Sequence, residues 1–103
     1  MSEVNPVAAI DEGLGVFVAG SRAATLPGSV HLHCTDADGE WLIERNGSGS
    51  VVLERRHAKG DCAIRGTAGA LLALVRGTGS LTALEVIGDT TVAESFAATL
   101  RVD

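Results

Sequence analysis

Between Val30 and Gly66 the chain holds four short segments, separated by turn residues, whose apolar side chains recur at every second position. That period belongs to β-strands, in which successive side chains point to opposite faces. After the Pro27-Gly28 turn, a first strand running to Thr35 places Val30, Leu32 and Cys34 on one face and His31, His33 and Thr35 on the other. Asp36 to Gly39 supply turn chemistry, and a hairpin closing there puts Trp41 and Ile43 on the face of Leu32 and Cys34. Asn46-Gly47-Ser48-Gly49 forms a second turn into a strand over about 50–56. There Val51, Val52 and Leu53 are all apolar, so the register is undecided. Ala58-Lys59-Gly60 turns the chain into Cys62, Ala63 and Ile64.

The flanks change period. Val7, Ile10, Leu14, Phe17 and Val18 follow the three-and-four spacing of one helical face, which predicts a helix over about 6–21 with Asn5 as N-cap and Pro6 at its first position. Gly13 and Gly15 weaken its interior by roughly 1 kcal/mol each, a cost that tight helix-to-sheet packing or the approach of a ligand would explain. Thr67 opens a second helix carrying Ala68, Leu71, Leu72 and Val75 and ending near Gly77. Leu84, Val86 and Ile87 make a last strand, and Asp89 caps a final helix with Val92, Phe96 and Leu100, Thr91 and Glu94 offering an alternative capping-box start. The order of helix, four strands, helix, strand and helix predicts an α+β fold. It is a five-stranded, mostly antiparallel sheet with helices packed on one face. A crossover between the fourth and fifth strands would make the sheet mixed. At 103 residues, 1–103 is one domain.

Composition excludes several function classes. A net charge of −5 with scattered basic residues opposes both nucleic acid and an anionic membrane surface. Phe17, Trp41 and Phe96 are the whole aromatic complement, too little for a base-stacking platform. No apolar run approaches the roughly 18 residues of a membrane span. Met1 to Asn5 lack a secretory signature, so a cytoplasmic location is expected. Cys34 and Cys62 form neither a redox pair nor a zinc pattern and read as buried thiols. A disulfide between them would need neighbouring strands with Cα atoms within about 7 Å.

No catalytic constellation emerges. His31 and His33 share a strand face and could ligate a metal if His57 or Glu44 completed the set, but no third ligand has fixed spacing, so no metal site and no cofactor are expected. Asp36, Asp38, Gly39 and Glu40 lack the ligand order of a calcium loop, and Gly77-Thr78-Gly79-Ser80 lacks the lysine of a phosphate loop. Arg65 ends a strand just ahead of a helix, where pockets form; a surface pairing with Asp61, Glu54 or a carbonyl is the plainer role.

Taken together, Pro27-Gly28, His31-Leu32-His33-Cys34-Thr35-Asp36, Gly39-Glu40-Trp41, His57-Ala58-Lys59-Gly60-Asp61, Ala63-Ile64-Arg65-Gly66 and Val86-Ile87-Gly88-Asp89 resemble the C-terminal domain of the mycothiol-dependent maleylpyruvate isomerase family. The resemblance spans about 30–96. It implies a fold similar to sterol carrier protein, and a context in which an N-terminal metal-binding helical bundle, with no counterpart in this sequence, does the mycothiol chemistry. None of that bundle's ligands carries over to His31, His33 or His57. Arg65 and Arg76 are the candidates for the arginine that the family's C-terminal domain contributes. Thr90 stands where relatives often have arginine.

Two functions follow. The first is a stand-alone, non-enzymatic module binding a hydrophobic, lipid-like molecule between sheet and helices, near Leu14, Val18, Leu32, Ile43, Leu71 and Phe96, with Arg65 at the strand end. The alternative is an accessory subunit for a separate metal-binding bundle protein in a thiol-dependent isomerase or transferase. A homodimer is among the partners the sequence allows.

Overall fold

The computed structural model describes residues 5–101; the first four residues of the Met1 to Asn5 stretch read for a leader lie outside the described residues. Helix α1 spans Pro6–Ala19, and the Asn5 carboxamide oxygen accepts from the backbone N–H of Val7 and Ala8, at 3.0 and 3.3 Å. It ends two residues earlier than its apolar stripe suggests. Gly20 takes extended backbone there, and a 3-10 turn over Ser21–Thr25 follows.

Strands β1 (Val30–Cys34), β2 (Glu40–Arg45) and β3 (Val51–Glu54) form the expected meander. Pairing of Ile43 with Leu53 and of Arg45 with Val51 turns Leu53 and Val51 to the core side, while Val52 lies outside opposite Glu44. Strand β4 (Cys62–Gly66) lies parallel to β1, helix α2 spans Ala68–Val75, strand β5 is Glu85–Gly88 and helix α3 is Thr90–Leu100. The sheet order is β3-β2-β1-β4-β5.

The sheet is therefore mixed, but its parallel pair is β1 with β4, not a pair made by the β4 to β5 connection. After α2 the chain doubles back through a 3-10 turn at Leu81–Ala83 until Leu84 closes on Gly66, where a Cβ would meet its Cδ2. Returning to the end of β4 that it left, it can only add β5 antiparallel. The crossover instead falls between β3 and β4, and residues 55–61 pass over the outer face of β2 and β1. Leu42, outward by its register opposite His31, is on that covered face and is 1% exposed.

Loop side chains tie the two layers. Asp36 accepts from the backbone N–H of Ala68 at 2.8 Å and Thr67 from that of Ala70 at 3.2 Å, so two caps serve the start of α2. Asp89 accepts from Thr91 and Val92, which starts α3 at Thr90 and leaves the Thr91–Glu94 capping box unused. On the inner face, Ile10, Leu14, Phe17, Leu71, Leu74 and Phe96 of the helices pack on Val30, Leu32, Trp41, Ile43 and Ile64. Gly13 serves helix-to-helix rather than helix-to-sheet packing, since a Cβ there would sit 2.6 Å from Val75 Cγ1 of α2; Gly15 has open space beside it.

Candidate functional site

Among the described residues, two features of the surface have the chemistry of a site, one on each layer. On the helix layer, the ends of α1, α2 and α3 enclose an open cleft of about 380 Å³. Val16, Phe17, Val75 and Leu100 give it an apolar floor, Gly13 and Gly20 line it without adding side chains, and Arg22 and Arg76 stand at the rim. Val16 is 71% exposed, so its burial by a guest would remove apolar surface from water. Arg22 is oriented by donating to the carbonyls of Thr99 and Arg101, both at 3.3 Å. Behind the floor, Phe17 meets Phe96 edge to face with ring centroids 5.5 Å apart.

The residues expected near a pocket lie inward of this cleft. Leu14, Leu32, Ile43, Leu71 and Phe96 are all in the closed core, and Val18 packs partly buried against it. Arg65 is on the opposite side of the sheet, where its guanidinium pairs with Glu85 across β4 and β5 at 3.2 Å rather than with Asp61 or Glu54. Arg76 is exposed at the cleft rim. The helical stripe could not reveal Val16, because it falls outside the apolar face of α1. Only the convergence of three helix ends gives that position a role.

On the outer sheet face, Glu40 is the centre of a histidine cluster. Its Oε1 lies 3.1 Å from His31 Nε2, 2.9 Å from His33 Nδ1 and 2.7 Å from His57 Nδ1. The His31 ring meets those of His33 and His57 edge to face, at centroid separations of 6.0 and 5.2 Å. The alternation of β1 aligns His31 with His33, antiparallel register sets Glu40 opposite His33, and the crossing connection lays His57 over both. Hydrogen bonding from His57 above all, then His33 and His31, outweighs burial and holds the Glu40 carboxyl down at about 2. Burial, outweighing the contacts with Glu40, pushes His31 below its ordinary value as well.

Of the residues that could complete a set with His31 and His33, the structure brings in His57, while Glu44 turns to Arg56 at 3.8 Å. Glu40 carried no such reading in the sequence. The hairpin already placing Trp41 opposite Leu32 contained the signal, since one residue further along the same register puts Glu40 opposite His33.

Cys34 and Cys62 are both buried free thiols. Their strands are neighbours, but Cys62 pairs with Val30 and Cys34 with Gly66, an offset of four residues or about 13 Å along the strand. No disulfide can span that distance. Burial raises both thiols, Cys62 to about 11, which leaves them protonated and unreactive at neutral pH.

Residues 18–101 match the SCP-2 sterol transfer family. The chain belongs to that family. Among solved structures it is similar to the UbiJ-SCP2 ubiquinone synthesis protein, with a TM-score of 0.63 and 22% identity over 97% of this chain and 93% of that one. A palmitated SCP2L2 from Aedes aegypti superposes with a TM-score of 0.69 at 17% identity, over 93% and 95% of the two chains. The sterol carrier protein domain 2 of Helicoverpa armigera gives 0.66 at 13% identity, over 100% and 98%. No curated protein sequence matches. At these identities the structural likeness establishes the SCP-2 fold, and the functional reading rests on the surface of this family member itself. Among its described residues no helix is long and apolar enough to cross a membrane.

Proposed function

We propose that this SCP-2 family member is a non-catalytic carrier of apolar small molecules with an anionic end, of the fatty-acyl class. The observation that carries the reading is the open apolar cleft between the three helix ends, with Arg22 and Arg76 at its rim. An acyl chain laid on Val16, Phe17, Val75 and Leu100 would gain burial of apolar surface, and its carboxylate would meet the two guanidinium groups. The size of the cleft falls in the range of small-molecule sites. That a relative of the same fold has been studied in palmitated form supports an acyl guest. The closed-core residues Leu14, Leu32, Ile43, Leu71 and Phe96, with the partly buried Val18 packed against them, would form the wall behind the guest, reached if the ring of Phe17 swings off Phe96. Likeness to the mycothiol-dependent isomerases rests on sequence motifs alone, and the cleft favours a small apolar guest over a bundle protein or a second copy.

The test is titration with a fluorescent fatty acid, paired with native mass spectrometry of protein purified without added lipid. Saturable one-to-one uptake is expected, and V16D should weaken it by at least about tenfold, a cost of 1.4 kcal/mol or more for placing a charge against the chain. Because Val16 is so exposed, the variant should fold. Uptake unchanged by V16D, or no saturable uptake by the unaltered protein, would remove this reading.

A further inference from the structure

We propose that His31 Nε2, His33 Nδ1, His57 Nδ1 and a carboxylate oxygen of Glu40 bind one divalent transition-metal ion of the zinc class on the outer face of the sheet. The four donor atoms lie within 4.8 Å of one another. Donors of a tetrahedral zinc shell, each about 2.0–2.2 Å from the ion, stand roughly 3.4 Å apart, so the cluster needs to contract by little more than an ångström at its widest. Glu40 Oε1 stands 2.7 to 3.1 Å from each nitrogen, so the carboxylate draws back by well under an ångström as the nitrogens close on the ion, a movement of side-chain torsions alone. His57 has the most freedom to follow, since it is carried by the connection and its side chain is 78% exposed, whereas the backbones of His31, His33 and Glu40 are held in paired strands.

Hydrogen-bond chemistry points the same way. Three ring nitrogens surround one oxygen, Oε1 of Glu40, at 2.7 to 3.1 Å. A carboxylate oxygen offers about two lone-pair directions, so three N–H donors oversubscribe it, and any ring that turns a lone pair toward it is repelled. A cation at the centre resolves both problems at once, because three imidazole lone pairs and the carboxylate can all donate to it. Three nitrogens and one oxygen select zinc, cobalt, nickel or copper over magnesium or calcium, which prefer all-oxygen shells. The bound ion would clamp residues 55–61 to β1 and β2, fastening the crossover over the sheet.

Zinc chloride titrated by calorimetry into tag-free protein, stripped with a chelator and desalted, should show a single site, with no comparable heat from magnesium. H57A, altered at an exposed position, should lose more than about 100-fold in affinity, beyond what losing even a hydrogen-bond partner of a ligand costs. Zinc should raise the melting temperature of the unaltered protein and leave that of H57A in place. Cobalt added to isotopically labelled, unaltered protein should broaden amide signals centred on residues 31, 33, 40 and 57, which keeps the assignment testable if the variant folds poorly. Equal zinc affinity in H57A, broadening centred elsewhere, or no one-to-one binding would overturn the site.

Discussion

Asp11 shows how one surface carboxylate can fasten a buried side chain. Trp41 is 1% exposed, yet its indole N–H must be paired, and Asp11 Oδ1 accepts from it at 3.2 Å. The same carboxylate pairs with Arg55, the residue at which the chain begins its passage over the sheet. The hydrogen bond from Arg55 is the main reason the Asp11 carboxyl lies below its ordinary 3.8, against an opposing push from burial and with help from Trp41. A depressed carboxyl contributes stability that is fully present above that ordinary value and is lost as pH falls through the lower folded value. Urea midpoints, followed through the Trp41 fluorescence, should therefore fall in the acid range below about pH 4. In D11A that acid slope should be shallower. At neutral pH the variant should be less stable by about 1–3 kcal/mol, the cost of leaving a buried donor unpaired. None of this was legible in the sequence, because Asp11 and Trp41 are 30 positions apart and no spacing rule joins a helix carboxylate to a strand indole.

At the level of elements, the two glycines of α1 look alike in sequence and differ in structure. A methyl group at Gly13 would press on Val75 Cγ1 at 2.6 Å, while one at Gly15 would meet nothing within 4 Å. G15A should then stabilise the protein by up to about 1 kcal/mol, the helix-propensity gain with no steric charge against it. G13A should destabilise it by about 1–2 kcal/mol, overpacking at the α1–α2 contact exceeding the same gain, and V75A should relieve it in the double variant. Thermal melts of the unaltered protein, G15A, G13A, V75A and the G13A/V75A double variant decide the matter, the first two variants by the sign of their shift and the double variant by a smaller loss than the sum of its two single changes. The caps at Asn5, Thr67 and Asp89 were readable because each acts within three residues of itself. The cap on α2 from Asp36 and the register of β3 were not, since both depend on which strands become neighbours.

In the whole molecule the β3 to β4 crossover decides what each face can do. Had β4 continued the meander next to β3, residues 55–61 would have formed an edge turn, and His57 would have stood away from His31 and His33. Placing β4 beside β1 instead draws that segment across the outer face and assembles the histidine cluster there. Strand and helix order made the α+β architecture legible in the sequence; strand order in space did not follow from it, and both candidate sites depend on spatial order. The sheet and its packed core then stand between the two sites, with the helix-end cleft on one side and Glu40 on the other. Residues that share no partner and are separated by a closed core contribute independently. H57A should accordingly leave fatty-acid affinity within about twofold of the unaltered protein, and V16D should leave zinc affinity equally untouched, since additivity between distant sites holds to about 0.5 kcal/mol. Calorimetry with each ligand on each variant measures both. A loss of fatty-acid binding in H57A beyond that limit would mean that the outer connection and the helix ends move together through the sheet, and that the two faces act as one coupled site.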